Sequence, residues 1–316
     1  MRYLSGDAQH IGSRQYQQDC YGFSDANNLE FFAHGGLLAV LCDGMGGMEH
    51  GDRASQAAVR TLLDAYALKT PGESIPDALE RSVQEANRRV LTLARELGSE
   101  GGVGTTLVAV VLHGDSMHFI SVGDSGLFLV SGGQLQVVNR PHVYANLLDQ
   151  AVARGAMSRQ QAENHPERES LTSFIGVPTL HEIDRNMEPW PLRQGDTILL
   201  ASDGMFKTLP IDEIEACLTG HPQSWPSVLV DRTLAKDLPS QDNVTVLSMT
   251  MAENSLPAWV PFPEGSVFAL ASSAGTEKTG SLGRISSWRG GRRLWVLAAL
   301  LFLVDAGLIA WIYFSR

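Results

Sequence analysis

The sequence predicts an α+β domain built from layers of helices and antiparallel strands. Two long helical patterns, at residues 52–68 and 77–97, follow one another with no strand between them. Most strand patterns come later in the chain, and several are joined by short glycine-containing turns, which is typical of hairpins. Helices and strands grouped in this way favour an α+β architecture over a doubly wound parallel sheet, in which the two would alternate.

Each predicted element has its own local signal. Asp52 leads the first helix and Pro76 precedes the second, and both residue types are common at helix starts. The strands are predicted from short runs of apolar and β-branched residues bounded by turn residues. These runs are 37–42, 105–112, 117–123, 127–130, 135–138, 196–202 and 243–250.

Composition limits the class of protein. The chain has 316 residues, 44% hydrophobic and 19% charged, as expected of a globular protein with a sizeable core. Its formal net charge of −11 argues against a nucleic-acid partner, because phosphate backbones bind basic surfaces. Its three cysteines are too few for a disulfide framework or a zinc cluster.

The last quarter of the chain differs from the rest. We expect one domain over 1–250 and a flexible linker over 251–293, which is rich in Pro, Gly and Ser. Residues 294–314 are apolar except for Asp305 and are long enough for a transmembrane helix. The alternative is a buried helix of the domain. Arginines just before this stretch predict a single-pass protein of the cytoplasmic membrane whose domain faces the cytoplasm: Arg289, Arg292 and Arg293.

Acidic residues next to predicted strands are the main chemical signal. Asp43 ends the apolar run 37–42 and stands among glycines, where an unpaired buried charge would be unfavourable. Four more aspartates lie beside other strands or near the amino terminus: Asp19, Asp124, Asp203 and Asp242. Any single Asp-Gly pair is commonly just a turn. Together, the five predict one shared site at one end of the sheets.

Clustered carboxylates repel one another unless cations hold them, and oxygen ligands select Mg²⁺, Mn²⁺ or Ca²⁺. A glycine after an aspartate lets the backbone carbonyl approach an ion closely. Two ions about 3.5–4 Å apart can lower the pKa of a shared water and assist displacement at phosphorus. Asp43 is the residue predicted to bridge them.

The ordered motifs resemble the metal-dependent, type-2C family of serine/threonine protein phosphatases in its bacterial form. The similarity spans roughly residues 5 to 250. The matching stretches, in chain order, are Arg14 with Gln18-Asp19, Asp43-Gly44-Met45-Gly46-Gly47, Gly104-Thr105-Thr106, Gly123-Asp124-Ser125, Leu171-Thr172 with Ile175-Gly176, Ser202-Asp203-Gly204, and Asp242-Asn243-Val244-Thr245.

The resemblance implies a central antiparallel β-sandwich flanked by helices, in four layers α-β-β-α, with a binuclear Mn²⁺ or Mg²⁺ centre at one end. It implies that Asp43 bridges both ions, that Gly44 lends its carbonyl, and that the remaining ligands are Asp19, Asp203 and Asp242. Asp124, with Asp203, matches the position of a third, weaker ion.

The resemblance also implies a reaction and its partners. Arg14 matches the arginine that grips the substrate phosphate. Metal-activated water would attack a phosphoserine or phosphothreonine of a protein directly, reversing a serine/threonine kinase. Residues 139–187 match a variable flap where substrate choice is expected to be set.

Two departures and two alternatives accompany this resemblance. Gln18 stands where many relatives have an acidic residue, and Gly126 where an arginine often follows Gly-Asp-Ser. Two other hypotheses are a catalytically inactive sensor that binds phosphoproteins and a phosphatase of small phosphomonoesters. A cysteine phosphatase is disfavoured because the sequence has no CxxxxxR phosphate loop.

Overall fold

The computed structural model describes residues 3–45 and 50–252. Within them, the strands are β1 (Tyr3–His10), β2 (Asp19–Phe23), β3 (Leu37–Asp43), β4 (Leu107–His113), β5 (Ser116–Val122), β6 (Gly126–Ser131), β7 (Gln134–Val137), β8 (Asp184–Arg185), β9 (Trp190–Pro191), β10 (Thr197–Ala201) and β11 (Val244–Met251). The α-helices are α1 (Leu29–Gly35), α2 (Gly51–Tyr66), α3 (Ile75–Glu96), α4 (Ala145–Ala153), α5 (Arg159–Glu163), α6 (Asp203–Phe206), α7 (Ile211–Cys217) and α8 (Trp225–Leu234), and Pro222–Ser224 forms a 3₁₀ turn.

The strands form two antiparallel sheets. Sheet 1 has the order β1-β11-β10-β6-β7. Sheet 2 has the order β2-β3-β4-β5-β8, and β9 also pairs with β5. All pairings between these strands are antiparallel, as the hairpin-like sequence pattern predicted.

Strand β3 shows how sheet 2 separates two hydrophobic layers. Successive side chains of a strand point to opposite faces of the sheet. One set packs against α2 and α3, namely Leu38, Val40 and Cys42. The alternate set packs in the core between the two sheets, namely Leu37, Ala39 and Leu41. A continuous apolar run therefore suits a strand that is covered on both faces.

Sheet 1 is covered on its outer face in the same way. Leu199 and Ala201 of β10 pack there against Trp225 and Leu229 of α8, together with residues of α6 and α7. Its inner face meets sheet 2 through Ile198 and Leu200. The expected four-layer α-β-β-α arrangement is confirmed by these three hydrophobic clusters.

The longest elements match the sequence predictions closely. The helices predicted at 52–68 and 77–97 are α2 and α3, and each predicted strand from 37–42 to 243–250 has a counterpart within a few residues. Helix α3 starts two residues earlier than predicted. The Ser74 hydroxyl accepts a hydrogen bond from the Asp77 N–H, and Pro76 occupies the first turn.

Several elements were not predicted. Strand β1 carries polar residues such as Ser5 and Asp7, and the short β2 contains Gly22, so neither has a strong strand signal. Both become strands because a neighbour supplies hydrogen bonds along their whole length: β1 pairs with β11 and β2 with β3. Tertiary pairing thus decides what local propensity leaves open.

The predicted linker and transmembrane helix, 251–293 and 294–314, lie outside the described residues apart from 251–252. Among residues 3–45 and 50–252, no helix is both long enough and apolar enough to cross a membrane.

Candidate metal centre

The fold brings the five predicted aspartates to one end of the sandwich. Asp19 starts β2 and Asp43 ends β3, and the antiparallel register places them opposite each other. In sheet 1 the same end carries the turn from β10 into α6, with Asp203, and the start of β11, preceded by Asp242. Asp124 lies in the turn between β5 and β6. The first residue of β6 pairs with the last residue of β10, so this turn lies at the same end of the sandwich.

Electrostatic coupling shows that these carboxylates share one region. Burial, followed by the charges of Asp19, Asp203, Asp124 and Asp242, raises the pKa of Asp43 well above its ordinary value. Burial also raises the pKa of Asp19 to about 7, although hydroxyl hydrogen bonds to its carboxylate act in the opposite direction. Such perturbed carboxylates in one cluster are typical of a functional site.

Asp19 connects the two sheets at this end. The Ser202 and Thr245 hydroxyls, both in sheet 1 segments, donate to Asp19 Oδ2 at 2.8 and 2.7 Å. The Thr245 N–H in turn donates to Ser202 Oγ at 3.0 Å. Asp19 Oδ1 is buried and has no hydrogen-bond partner within the described part of the chain. A buried carboxylate oxygen with no partner is unfavourable unless a cation meets it.

Asp43 is held through its backbone by the segment before β4. Its N–H donates to Thr106 Oγ at 3.0 Å, and its carbonyl accepts from the Thr106 N–H at 2.8 Å. The Thr105 hydroxyl donates to the same carbonyl at 2.8 Å. Thr106 Oγ also lies 2.6 Å from Ser125 Oγ, which ties this segment to the Asp124 turn. The charges of the other four aspartates act on the Asp43 carboxylate.

The glycines after two of the aspartates are required by close backbone approach. A Cβ on Gly44 would lie 2.2 Å from the Gly51 carbonyl oxygen, and one on Gly204 would lie 2.0 Å from the Asn243 carbonyl oxygen. These distances are far below contact, so only glycine fits without moving the backbone. Gly46 and Gly47 of the same motif lie outside the described residues.

Arg14 reaches the site from the loop between β1 and β2. Its Nη2 donates to Asp242 Oδ2 at 2.6 Å, and both side chains are about two-fifths exposed. Asn243 fixes this loop, since its amide donates to the Ile11 and Tyr16 carbonyls and accepts from the Gln18 N–H. The guanidinium is therefore anchored at the site while remaining open to solvent.

Lys207 is a second cation among the predicted ligands. Its Nζ donates to Asp203 Oδ2 at 2.8 Å and to Asp124 Oδ2 at 3.2 Å. Burial lowers the pKa of Lys207, but the charges of Asp203 and Asp124 outweigh this effect and raise it overall. The pKa of Asp124 is raised by burial and by the charge of Asp203 despite the nearby ammonium.

The residues present suit hard divalent cations. The donor set is all oxygen, Asp19 Oδ1 has no hydrogen-bond partner among the described residues, and burial together with neighbouring negative charges raises the pKa of Asp19 and Asp43. Over residues 3–45 and 50–252, no group of three or more His, Cys, Asp or Glu side chains is already arranged to hold a metal ion. Arg14 and Lys207 instead engage three of the five carboxylates.

Sequence reasoning found the acidic residues but not the groups that position them. It assigned no role to Ser202, Thr245, Thr106, Asn243 or Lys207. The first four lie inside the stretches that resemble the phosphatase family, and that membership is the one sequence signal that could have identified them. Lys207 lies outside those stretches and carries no such signal. Their roles depend on contacts between residues far apart in the chain, such as the 226 positions between Asp19 and Thr245.

The two cysteines beside the ligands are unsuited to nucleophilic chemistry. Cys20 and Cys42 are 6% and 0% exposed. Burial raises the pKa of Cys20 to about 11 and that of Cys42 well above its ordinary value. Because the thiolate is the reactive form, neither residue is a suitable phosphate acceptor.

Comparison with known proteins gives one consistent family. The model of the protein phosphatase 2C family matches residues 7–247. The serine/threonine phosphatase stp of Listeria welshimeri is 32% identical over 213 residues, covering 66% of this chain and 82% of the relative. The solved serine/threonine phosphatase of S. agalactiae has a TM-score of 0.67 at 27% identity, covering 80% of this chain and 100% of that one. PppA of Pseudomonas aeruginosa, described as a key regulatory component of T6SS, has a TM-score of 0.63 at 28% identity, covering 79% and 98%.

Proposed function

Because this chain belongs to the protein phosphatase 2C family, we propose that its aspartate cluster hydrolyses phosphoserine and phosphothreonine on proteins. The chain is a metal-dependent serine/threonine protein phosphatase that uses Mn²⁺ or Mg²⁺. The observation that carries the proposal is the convergence of the five aspartates, from both sheets, at one end of the sandwich, where the buried Oδ1 of Asp19 has no hydrogen-bond partner among the described residues.

Named residues would hold the metals. Asp43 would bridge two ions, the Gly44 carbonyl would face one of them, and Asp19, Asp203 and Asp242 would supply the remaining protein oxygens, directly or through water. When bound, such a pair of ions supplies positive charge against the phosphate oxygens and lowers the pKa of the attacking water.

The chain's own residues supply positioning. The Ser202 and Thr245 hydroxyls fix one oxygen of Asp19 and so direct the other toward the site. Thr105 and Thr106 fix the backbone of Asp43. Orientation of ligands by such hydrogen bonds determines much of the affinity and activity of metal sites.

Arg14 would bind the substrate phosphate. Its guanidinium is anchored at Asp242 through one nitrogen and is 42% exposed, so it can also meet a phosphate oxygen. The planar fork of an arginine matches phosphate geometry and keeps its charge at all relevant pH values. Water would replace the serine or threonine oxygen on phosphorus without a phosphorylated enzyme residue, which agrees with the burial of Cys20 and Cys42.

The direct test is phosphate release from a phosphothreonine peptide by the full chain in detergent. We expect turnover with Mn²⁺ or Mg²⁺, none after EDTA, and loss of at least about 100-fold in Asp43→Asn. Asp64→Asn is the matched control, because Asp64 is an exposed aspartate on α2 paired with Arg60. Folded wild-type protein without turnover in any divalent ion would refute hydrolysis and favour a phosphoprotein-binding role.

Protein substrates are proposed in preference to small phosphomonoesters. His142, near the start of residues 139–187, contacts the residue before Asp124: its N–H donates to the Gly123 carbonyl, and its Nδ1 accepts from the Gly123 N–H. These contacts support a role for the segment in binding the substrate around the phosphate, and the phosphoproteins would be products of a cognate serine/threonine kinase. A kcat/KM for phosphothreonine peptides no higher than for sugar phosphates would contradict the preference.

A membrane location is also proposed, and its support is the sequence of 294–314 with the arginines before it. The full chain should stay in the membrane pellet through carbonate extraction, and a chain lacking 294–314 should be released. A protease added to spheroplasts should leave the phosphatase domain intact if it faces the cytoplasm. Release of the full chain by carbonate would contradict the anchor.

A further inference from the structure

Lys207 lies one helical turn after Asp203, in a position fixed by the fold. The Lys207 N–H donates to the Asp203 carbonyl at 2.9 Å, which continues the helical turn of α6. Met205 and Leu209, at 0% and 1% exposed, fix this segment against sheet 1. The lysine therefore projects from the end of a helical turn that is packed against sheet 1.

The ammonium joins two carboxylates that come from separate parts of the chain. It lies 2.8 Å from Asp203 Oδ2 and 3.2 Å from Asp124 Oδ2. The side chains of Asp124 and Asp203 are 11% and 21% exposed, so water screens this pair only partly. An ammonium in contact with two partly buried carboxylates neutralises charge that would otherwise attract a metal ion.

We infer that the Lys207 ammonium takes the place of a third metal ion at the Asp124–Asp203 pair, so that this chain binds two divalent ions and not three. The inference rests on the proposed two-metal centre. It concerns the one position of the predicted ligand set where the resemblance implied an additional, weaker ion.

The physical reason is competition for the same oxygen atoms. A divalent ion entering between Asp124 and Asp203 would have to displace the ammonium from both Oδ2 atoms. The displaced ammonium, tethered at the residue that follows α6, would remain close to the incoming ion and repel it. The two-ion centre at Asp43 is affected less, because Lys207 engages only one oxygen of Asp203.

Metal stoichiometry tests the inference without relying on activity. Mn²⁺ binding to the full chain in detergent would be counted by isothermal titration calorimetry and by loss of the free Mn²⁺ signal in electron paramagnetic resonance. We expect wild type to saturate at two ions and Lys207→Gln at three, with the third at least tenfold weaker. Lys207→Arg keeps the charge and should remain at two.

Two further variants locate the effect. Lys236→Gln removes a lysine that follows α8 and pairs with Glu213 of α7, and should leave the stoichiometry at two. Adding Asp124→Asn to Lys207→Gln should remove the third ion again. Circular dichroism melting confirms that each variant is folded before it is titrated.

The possible outcomes separate the two proposals. Three ions in wild type, or two in folded Lys207→Gln, would overturn the inference and leave the proposed phosphatase intact. Fewer than two ions in folded wild type would instead overturn the metal centre itself. If Lys207→Gln binds three ions and the double variant also binds three, the assignment of the third ion to Asp124 is refuted.

Discussion

Asp19 and Asp43 face each other across β2 and β3 as directly paired residues at the end of sheet 2. Placing two carboxylates opposite one another at the margin of a hydrophobic core destabilises the metal-free fold. Burial raises the pKa of both groups; the charge of Asp19 adds to the rise at Asp43, and the charges of Asp203 and Asp242 add to the rise at Asp19. A cation bound between these carboxylates would stabilise the arrangement.

Removing one of these charges should stabilise the metal-free protein. At pH 8 in EDTA, Asp43→Asn should raise the free energy of unfolding by ~1–3 kcal/mol. The Asp43 carboxyl is ionised in the unfolded chain at this pH, and burying it beside other carboxylates is unfavourable; asparagine removes that charge. This corresponds to about 2–10 °C in Tm, measured by circular dichroism. Mn²⁺ should raise the Tm of wild type but not of Asp43→Asn. An unchanged or lower Tm in EDTA, with Asp64→Asn as control, would contradict the repulsion argument.

The hydroxyl of Thr245 should matter more for metal affinity than for the free energy of unfolding. Thr245→Val removes the hydrogen bond to Asp19 and should weaken Mn²⁺ binding ~10–100-fold, as is typical when a ligand loses its supporting partner. Titration calorimetry provides the measurement. Thr250→Val is the matched control, since Thr250 lies on the same strand and its buried hydroxyl contacts Thr197 away from the site. Equal Mn²⁺ affinity in the two variants would argue against ligand positioning by Thr245.

Gly204 should tolerate no side chain. Gly204→Ala places a Cβ 2.0 Å from the Asn243 carbonyl oxygen, so the turn after Asp203 must shift. We expect a loss of ~1–3 kcal/mol or more in unfolding free energy, together with weaker metal binding. Gly72→Ala is the control, because nothing lies within 4 Å of a Cβ there. Similar urea midpoints for the two variants would show that the close approach at Gly204 relaxes without penalty.

Arg14 should act on substrate binding. Arg14→Met should lower kcat/KM for a phosphothreonine peptide ~10–100-fold, equivalent to losing one charge-assisted hydrogen bond to phosphate. Steady-state kinetics measure this, with Arg89→Met as control because Arg89 lies on α3 and pairs with Glu96. Inorganic phosphate should also inhibit Arg14→Met less strongly than wild type. Unchanged inhibition would remove Arg14 from the phosphate site.

Much of the fold was predictable because its signals are local. The apolar run 37–42, bounded by turn residues, identifies a strand covered on both faces, and the amphipathic stretch that becomes α3 identifies a surface helix. Strand β2 was not predicted, because its five residues include Gly22 and show no alternation of apolar and polar side chains. Its pairing with β3 stabilises it as a strand. Boundaries such as the Ser74 cap depend on a single side-chain hydrogen bond and were placed only approximately.

By itself, the sequence determined the layered class of the fold, the positions of the acidic residues and their order along the chain, because these depend on short-range periodicity and residue type. Only the tertiary structure decided which partners these residues have. Ser202 and Thr245 meet Asp19 across the sandwich, Lys207 joins Asp124 to Asp203, and Asn243 fixes the loop that carries Arg14. The physical reason is that hydrogen bonds and ion pairs act over about 3 Å in space, whatever the distance along the chain, and only the packed sheets bring these groups that close.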